Sequence, residues 1–298
     1  MNNEFKAKYN KMILQKDLLL SSKSGRSFLL DYYLPNEAAN CPVVIFAHGF
    51  KGFKDWGCWQ LMAEKFVNAG YAFVKFNFSY NGTTPDQPMD FADLEAFGQN
   101  NYTRELQDLN AVVNWIGISS NWPRPNSIDN NKIALIGHSR GGGISIIKAA
   151  SDERIKALIT WAAVARLDYS WHKKEEQIKE WEKAGVLQAL NGRTKQMMPL
   201  YYQLFEDFFA NEEAFNTELA LQKRSDLPIL FIHGTADPAV PFSAAEQLKE
   251  WRPNAELVLL NGANHVFGGK HPWPEDQNIS EDGVILCNCS ISFLKRHL

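Results

Sequence analysis

The chain has 298 residues, of which 45% are hydrophobic and 22% are charged, a balance typical of a soluble globular protein. This length is enough for one large α/β domain or for two small ones. The formal net charge of -3 gives no large basic field, so neither nucleic acid nor an anionic membrane is an expected partner.

The N-terminus and the cysteines indicate where the protein is expected to act. The first residues contain no apolar segment with a cleavage signal, and no run approaches the roughly 18 apolar residues of a membrane span. No Cys-x-x-Cys pair occurs, and no His or Cys lies at zinc-finger spacing around the cysteines. We therefore expect free thiols in a reducing compartment, a cytoplasmic location, and neither a metal nor another cofactor. The cysteines are Cys41, Cys58, Cys287 and Cys289.

Strands and helices are predicted to alternate along the first half of the chain. Short apolar runs predict buried strands, and apolar residues three to four apart predict helices. Pro35 closes the first predicted strand, and Gly70 ends the first predicted helix. The polar residues 81–101 predict a long loop. The predicted strands are 27–34, 42–47, 71–78, 132–136 and 155–161, and the predicted helices are 57–69, 102–118 and 142–150.

The alternation is interrupted at about residues 164–225, where the chain is charged, helical and aromatic and no strand is predicted. Strands that alternate with helices predict right-handed crossovers and a mostly parallel sheet, covered by helices on both faces. We therefore predict one α/β domain over residues 1–298, with residues 164–225 inserted as a helical cap over one edge of the sheet. The elements predicted after the insertion are a strand at 228–234, a helix at 242–251, a strand at 256–260 and a helix at 280–298.

Residues 137–141 read Gly-His-Ser-Arg-Gly, between an apolar strand and a helix of small residues. In the pattern G-x-S-x-G, a sharp strand-to-helix turn holds a serine at the end of a central strand with its hydroxyl exposed. Glycine is needed two residues before and two residues after the serine, because a Cβ there would collide with the crowded backbone. Ser139 is therefore the candidate nucleophile. The alternative is a glycine-rich turn that binds a phosphate at the helix N-terminus.

A serine at such a turn needs a base and a residue that orients the base. Asp237 follows the predicted strand at 228–234, and His265 follows the predicted strand at 256–260. In parallel α/β sheets the active site forms outside the carboxyl ends of the strands, so Ser139, Asp237 and His265 are expected at one edge. Their order along the chain, Ser then Asp then His, is the order of the α/β-hydrolase fold.

Alternatives stay open for the aspartate and the histidine. Asp237 lies beside a proline, where a turn residue or a helix N-cap is a common role. The chain has 7 histidines, and His48 and His233 also follow predicted strands. Only His265 combines a place at a strand end with the required order, and His233 is the next candidate base.

Four segments together resemble the α/β-hydrolase superfamily. Within it, the chain resembles the serine esterases and peptidases grouped with dienelactone hydrolase, cinnamoyl (feruloyl) esterases and acyl-peptide hydrolases. The resemblance covers about residues 25–163 and 226–298 and is weak or absent in the insertion. Dienelactone hydrolase itself has a cysteine nucleophile, whereas this chain has Ser139. The four segments are His-Gly-Phe-Lys-Gly at 48–52, Gly-His-Ser-Arg-Gly-Gly at 137–142, His-Gly-Thr-Ala-Asp-Pro-Ala-Val-Pro at 233–241 and Ala-Asn-His at 263–265.

An acyl-transfer site also needs N–H donors that stabilise the tetrahedral oxyanion, each worth about 3 kcal/mol. One donor is expected from the backbone of Arg140, the residue after the nucleophile. The other is expected from the loop after the strand at 42–47, and the resemblance implies the backbone N–H of Phe50. The alternative for this segment is an ordinary strand-to-loop turn.

The insertion is rich in aromatic residues, and apolar positions between 197 and 209 match helical spacing. One interpretation is an aromatic wall for an acyl or aryl group of the substrate. The alternative is that this helix face only packs onto the core. The candidate substrate-binding residues are Tyr169, Trp171, Tyr201 and Tyr202.

These residues predict a serine hydrolase that cleaves a small-molecule carboxylic ester with a small or aromatic acyl group, through an acyl-enzyme. The alternative is a serine peptidase of the aminopeptidase or acylaminoacyl-peptidase type on the same triad. Only about 25 residues precede the first predicted strand, so no oligopeptidase gate is expected, which favours the esterase. A third hypothesis, a binding module without activity, would be expected to lack part of the triad. The sequence leaves the oligomeric state open.

Overall fold

An eight-stranded, mostly parallel sheet organises the computed structural model, which describes residues 12–298. Residues 12–298 contain ten strands, which are β1 (Met12–Ser21), β2 (Ser27–Pro35), β3 (Cys41–Ala47), β4 (Ala72–Phe76), β5 (Ile128–His138), β6 (Ile155–Trp161), β7 (Val186–Leu190), β8 (Met197–Tyr201), β9 (Ile229–Gly234) and β10 (Glu256–Leu260). Of these, β7 and β8 form a separate two-stranded sheet. The order across the sheet is β1-β2-β4-β3-β5-β6-β9-β10. β1 and β2 pair antiparallel, as do β2 and β4, and the pairs from β4 onward are parallel. The predicted α/β fold is confirmed.

Outside residues 164–225, the helices lie close to the predicted bounds, with one addition. Helix α2 occupies part of the segment predicted as a long loop at 81–101. Within residues 12–298, no helix is long and apolar enough to cross a membrane. The helices are α1 (Trp59–Asn68), α2 (Leu94–Gly98), α3 (Tyr102–Ile116), α4 (Arg140–Ser151), α5 (Glu175–Ala184), α6 (Gln203–Ala210), α7 (Thr217–Lys223), α8 (Ser243–Trp251) and α9 (Glu281–His297).

Successive residues of the central strands are buried on opposite faces of the sheet. In β3, Val43 and Ile45 belong to an apolar cluster with residues of α3, α4 and α8. Val44 and Phe46 belong to a second cluster with residues of α1 and α9. A strand that is covered on both faces needs apolar residues at every position. This double cover explains the continuous apolar runs of the central strands.

The edge strand β1 corrects the prediction that the first strand begins at residue 27. Lys16 and Asp17 interrupt the apolar pattern of this segment, and Asp17 has a positive φ of 56° at a register shift in the strand. The carboxylate of Asp17 lies 2.8 Å from Nζ of Lys54, a side chain that is fully buried. Asp17, itself half exposed, therefore contacts a buried ion-pair cluster from its edge. About ten more residues than predicted are part of the sheet.

Residues 164–225, here named the cap segment, contain a β-hairpin as well as helices. The prediction of no strand in this segment is therefore wrong. β7 and β8 pair antiparallel, and Pro199 lies within β8, where a helix would not accept it. The apolar spacing between residues 197 and 209 predicts a helix over the whole stretch. The helix α6 begins only at Gln203, and residues 197–201 form β8. Nζ of Lys51 donates to the carbonyl oxygen of Leu190 at 2.7 Å and ties the hairpin to the loop after β3.

Candidate active site

Ser139 lies at the sharp turn between β5 and α4, with φ of 56° and ψ of -124°. Such a conformation is strained for a residue with a side chain and persists only where its surroundings hold it. A Cβ at Gly137 would lie 2.4 Å from the carbonyl oxygen of Gly141, and one at Gly141 would lie 2.3 Å from that of His48. The N–H of Ser139 donates to the carbonyl oxygen of Trp161 at 2.9 Å. The turn has the geometry of a nucleophile elbow, and its glycines are required by close backbone contacts.

Asp237 and His265 lie in the loops after β9 and β10 and are in direct contact. Nδ1 of His265 is 2.7 Å from Oδ2 of Asp237, although the residues are 28 positions apart in the chain. The side chain of Asp237 is fully buried, and that of His265 is 18% exposed. An ionised carboxylate can only accept, so Nδ1 of His265 carries the proton and Nε2 has a free lone pair.

The carboxylate of Asp237 is held by backbone groups as well as by the histidine. Its Oδ1 accepts hydrogen bonds from the N–H groups of Ala239 at 2.8 Å and Val240 at 2.9 Å. Burial would raise the pKa of Asp237, but hydrogen bonds from His233, His265 and the backbone N–H of Val240 lower it below its usual range. Asp237 is thus both a turn residue and the partner of His265, so the two interpretations of the sequence are compatible.

His233, the next candidate base in the sequence, supports the aspartate. Its side chain is only 1% exposed, and its Nε2 lies 2.9 Å from the carbonyl oxygen of Val240 and 3.2 Å from Oδ2 of Asp237. Both neighbours are acceptors, so Nε2 carries the proton and donates to them. The sequence does contain a signal for this role, since His233 lies next to the last residue of β9, four residues before Asp237.

His138, the residue before the serine, contacts both the backbone and the ring of His265. Its Nε2 donates to the backbone carbonyl oxygen of His265 at 2.9 Å, and the two ring centroids are 4.8 Å apart. Burial, together with the nearby His265, lowers the pKa of His138 to about 3, so the ring stays neutral at ordinary pH. The elbow therefore helps to place the backbone of His265.

The elbow, the His265 loop and the loop after β3 meet at one point. A Cβ at Gly49 would lie 2.8 Å from Cβ of Ser139, so the β3 loop passes directly beside the serine. A cavity of about 120 Å³ is lined by all three segments, including Phe50, His138 and His265. The structure thus brings Ser139, Asp237 and His265 to the carboxyl edge of the sheet.

The loop after β3 is held in place by its histidine and its own backbone. Nε2 of His48 accepts from the N–H of Phe78 at 3.2 Å, and Nδ1 donates to the carbonyl oxygen of Gly49 at 2.9 Å. Burial lowers the pKa of His48 to about 4, so the ring remains neutral. The N–H of Gly52 donates to the same Gly49 oxygen at 3.0 Å. Phe50 lies inside this tight turn, beside the serine.

The side chain of Arg140 forms a buried ion pair that the sequence analysis missed. Its Nη2 lies 2.6 Å from Oε1 of Glu105 on α3, and both side chains are buried. The guanidinium carbon of Arg140 is 4.5 Å from the ring centroid of Phe50. The pair joins positions 35 residues apart, so no local pattern in the sequence points to it.

Tyr169 is the candidate substrate-binding residue that faces an open cavity. Its side chain is 40% exposed. It lines a cavity of about 510 Å³ between the chain that follows β6 and the chain that follows β9, together with Val164 and Val240. The N–H of Val164 donates to the carbonyl oxygen of Ser139 at 3.3 Å, so the cavity adjoins the elbow.

The other three aromatic candidates do not line this cavity; Trp171 is buried, whereas Tyr201 and Tyr202 are half-buried. Trp171 is buried, with ring contacts to Tyr102, Trp181, Phe205 and Phe208. Tyr202 packs against Trp181 and Phe205. Tyr201 ends β8, lies against Gly98 and donates its hydroxyl proton to Glu95. These contacts agree with the alternative in which cap aromatics form packing.

The cysteines offer no competing nucleophile. Cys41, Cys58 and Cys287 are buried, Cys289 is half-buried, and all four are unpaired. Burial raises the pKa of Cys58 to about 11 and that of Cys287 to about 12, so these thiols stay protonated. Within residues 12–298, no three His, Cys, Asp or Glu side chains converge in a way that could hold a metal ion.

A family model and several known proteins match this chain. The BD-FAE family model matches residues 30–252. Quorum-quenching protein AidA of Acinetobacter baumannii is 29% identical over 43% of this chain and 37% of its own length. An uncharacterized 31.7 kDa protein of Escherichia coli is 27% identical over 57% of this chain and 52% of its own length. The chain therefore spans about half or less of these two relatives.

A solved structure shares the fold over almost the whole chain. Est1E from Butyrivibrio proteoclasticus matches with a TM-score of 0.66 and 19% identity, over 95% of this chain and 99% of that one. At this identity the likeness concerns the fold. The family match covers well over half of the chain, so the protein belongs to the BD-FAE family and has the α/β-hydrolase fold.

Proposed function

We propose that the protein hydrolyses carboxylic esters of small or aromatic acyl groups, with Ser139 as nucleophile, His265 as general base and Asp237 as the residue that orients the base. The observation that carries the proposal is the 2.7 Å bond between Nδ1 of His265 and the buried Asp237, beside a serine in the strained elbow conformation. The bond leaves Nε2 of His265 free to accept a proton.

The reaction follows in two half-reactions. His265 takes the proton of Ser139 Oγ while the oxygen attacks the ester carbonyl, and the resulting imidazolium is stabilised by the ionised Asp237. The tetrahedral intermediate collapses when His265 returns the proton to the leaving alcohol, which leaves an acyl-enzyme. Water, deprotonated by His265, then attacks the acyl-enzyme. His265 returns this proton to Ser139 Oγ as the bond between Oγ and the acyl carbon breaks and the acid is released. The lowered pKa of Asp237 keeps the carboxylate ionised throughout.

The oxyanion of each tetrahedral intermediate is assigned to the backbone N–H groups of Phe50 and Arg140. Arg140 is the first residue of α4, and Ser139 at the N-cap makes no side-chain capping bond. The N–H of Gly142 donates to the carbonyl oxygen of Ser139 at 2.9 Å, whereas the N–H of Arg140 precedes the first intrahelical bond and is available. The loop after β3 passes within contact distance of Cβ of Ser139 because Gly49 has no side chain. Each donor is expected to contribute about 3 kcal/mol of transition-state stabilisation.

The cavity lined by Tyr169 is the proposed site for the acyl group. Its volume of about 510 Å³ lies within the range of small-molecule pockets, and it adjoins the elbow through Val164. Est1E, which shares the fold, has a structure with ferulic acid bound. We carry an aromatic acyl group of this kind to the present chain as part of the proposal. The free thiols also favour the cytoplasm as the place of action.

The nucleophile is tested by covalent labelling and substitution. A fluorophosphonate should label Ser139, and Ser139→Ala should abolish both labelling and hydrolysis of p-nitrophenyl acetate, because only this serine lies at the elbow. Ser151, at the other end of α4 and exposed, provides a matched control. Ser151→Ala should retain labelling and turnover. Full activity in Ser139→Ala, or a label on another residue, would refute the proposal.

The substrate class is tested with a panel that separates ester from amide cleavage. The panel contains p-nitrophenyl acyl esters, methyl hydroxycinnamates and aminoacyl-p-nitroanilides. The proposal expects hydrolysis of the p-nitrophenyl acyl esters and of the methyl hydroxycinnamates. It also expects a higher kcat/KM for a methyl hydroxycinnamate than for the methyl ester of an alkyl acid, which has the same leaving group. Faster hydrolysis of the anilides would instead assign the triad to a peptidase.

A further inference from the structure

The two residues assigned to the oxyanion hole touch each other through their side chains. Phe50 belongs to the loop after β3, whereas Arg140 begins α4, so separate segments supply the two N–H donors. The guanidinium carbon of Arg140 lies 4.5 Å from the centroid of the Phe50 ring, the geometry of a cation–π contact. This contact is the direct link between the side chains of the two donor residues.

The guanidinium is itself fixed from α3. Nη2 of Arg140 lies 2.6 Å from Oε1 of Glu105, and the side chains are 8% and 2% exposed. The amide nitrogen of Asn100 donates to the same carboxylate oxygen at 2.7 Å. The ring of Tyr102 lies 5.9 Å from the guanidinium carbon. Removing one member of a buried ion pair leaves an uncompensated charge, so Glu105 strongly constrains where Arg140 lies.

An oxyanion hole has a particular need for side-chain anchors. Its N–H groups must stay unbonded until the intermediate forms, so they cannot fix their own segments by hydrogen bonding. Within residues 12–298, the N–H of Phe50 donates no hydrogen bond, and the neighbouring bond from Gly52 to the carbonyl oxygen of Gly49 holds only the turn. The Phe50 ring also contacts the ring of Phe97, with 5.4 Å between the two ring centroids. The position of the Phe50 backbone therefore depends on what its ring contacts.

We propose that Glu105 and the side chain of Arg140 are positioning residues that set the distance between the two oxyanion-hole donors, through the contact of Arg140 with the Phe50 ring. This inference rests on the proposed function. The ion pair is neutral as a whole and its charges are compensated within 2.6 Å, so its effect on the oxyanion is geometric. Loss of the pair lets the two donors drift apart without removing either one.

The test uses Glu105→Gln, Glu105→Leu, Phe50→Leu and the double variant Glu105→Gln/Phe50→Leu in the full chain. Turnover is measured per active site titrated with a fluorophosphonate, so unfolded protein does not count. An alkyl trifluoromethyl ketone, whose hemiketal oxyanion occupies the hole, is compared with the matching methyl ketone as inhibitor. Loss of a whole donor costs about 100-fold in kcat, so a displaced donor should cost about 10-fold.

The expected result is a fall in kcat with KM changed less than about two-fold, and weaker trifluoromethyl ketone binding by the same factor as kcat. Glu105→Leu should lose more than Glu105→Gln, because glutamine retains one acceptor for Arg140. The double variant should lose less than the product of the two single losses, since both act through one contact. Binding of the methyl ketone should stay unchanged.

Asp152→Asn is the matched control, because Asp152 is buried near the other end of α4 and forms ion pairs with Lys148 at 2.7 Å and with Arg154 at 2.6 Å. It should lower the melting temperature and leave kcat per titrated site unchanged. Unchanged kcat and trifluoromethyl ketone affinity in Glu105→Gln and Phe50→Leu would overturn the inference, as would a change confined to KM. If Ser139 is not labelled in the unsubstituted protein, the proposed function itself fails; if it is labelled, these outcomes concern the inference alone.

Discussion

Two aspartate–histidine pairs with the same contact distance lie in different regions of the molecule. At the carboxyl edge of the sheet, Nδ1 of His265 is 2.7 Å from Oδ2 of Asp237. In the cap segment, Nδ1 of His172 is likewise 2.7 Å from Oδ2 of Asp168. The two pairs differ in exposure, since the histidine is 18% exposed at the sheet edge and 35% exposed in the cap segment.

The surroundings of the two pairs differ more than the pairs themselves. The free oxygen of Asp237 accepts two backbone N–H groups, and the partners lie in separate loops after β9 and β10. The free oxygen of Asp168 accepts from the guanidinium of Arg166 at 2.9 Å, and its histidine is four residues further along the chain. A short His–Asp contact is therefore weak evidence of catalysis by itself. What distinguishes the sheet-edge pair is rigid backbone support and a strained serine beside it.

The largest expected effect separates the two pairs directly. Asp237→Asn should lower kcat/KM for p-nitrophenyl acetate by about 10⁴-fold, because asparagine holds the wrong tautomer of His265 and cannot stabilise the imidazolium. Asp168→Asn should leave kcat/KM within several-fold of the unsubstituted protein. Circular dichroism and thermal melting show whether each variant is folded. Equal losses in the two variants would remove the distinction between the pairs.

The second prediction compares a glycine at the sheet edge with one in the hairpin turn of the cap segment. A Cβ at Gly141 would lie 2.3 Å from a backbone oxygen, whereas a Cβ at Gly192 would meet no atom within 4 Å. Gly141→Ala should lower the free energy of unfolding by about 3 kcal/mol or more, since the backbone must shift to accept the methyl group. Gly192→Ala should change it by less than about 0.5 kcal/mol. Urea denaturation measures both, and a mild effect of Gly141→Ala would mean that the elbow can relax.

A third, smaller effect concerns the neutral histidine beneath His265. Folding lowers the pKa of His138 to about 3, against about 6.5 in an unfolded chain. Between these values the unfolded state binds the extra proton, so this residue makes the free energy of unfolding fall as pH falls, by about 1.4 kcal/mol per pH unit. His138→Gln keeps an N–H donor for the carbonyl oxygen of His265 but cannot titrate.

The measurement is the slope of unfolding free energy against pH between 4.5 and 6 in urea. The slope should be less steep in His138→Gln than in the unsubstituted protein. The difference should reach up to about 1.4 kcal/mol per pH unit, which corresponds to one proton bound on unfolding. Other titrating groups, such as the buried His48, occur in both proteins and cancel in the difference. Parallel slopes would show that His138 is not held neutral by the fold.

The parts of the fold and site that the sequence predicted are those where local rules act on the backbone. Gly137 is required by contacts within the turn and α4, whereas a Cβ at Gly141 would collide with the backbone of Ala47 and His48 at the end of β3. Both glycines belong to the local pattern that marks Ser139 in the sequence. Asp237 and His265 are predicted at the carboxyl edge because each follows a strand of the parallel sheet. Their contact over 28 positions agrees with that topology, while their catalytic roles stay predictions.

The features that the sequence analysis missed depend on partners that are distant in the chain. β1 is hidden because Asp17 and its neighbour look like a polar surface, although Asp17 pairs with the buried Lys54. β8 carries apolar spacing that fits a helix as well as a strand, and pairing with β7 decides between them. The ion pair of Arg140 with Glu105 has no local signal, because each residue alone is an ordinary charged position on a helix.

The smallest expected effect tests whether the cap segment takes part in substrate selection. Tyr169→Ala should change the ratio of kcat/KM for a methyl hydroxycinnamate to that for p-nitrophenyl acetate by several-fold, because the tyrosine lines the cavity beside the elbow. A lost contact in an apolar pocket is worth about 1–3 kcal/mol of discrimination. The acetyl group is too small to reach the tyrosine, so turnover of the acetate should change little.

Phe209 gives the matched control for this last prediction, because it is an aromatic residue of the same segment that is 67% exposed and does not line the cavity. Phe209→Ala should leave the ratio unchanged, since its ring only stacks on Phe205. Equal losses on both esters in Tyr169→Ala would mean that Tyr169 supports the fold of the cap segment and not the substrate. An unchanged ratio in both variants would place the acyl group elsewhere, and the cavity of about 120 Å³ beside Phe50 and His265 would become the next candidate. In that event selectivity would be set at the sheet edge, by the residues that line the smaller cavity.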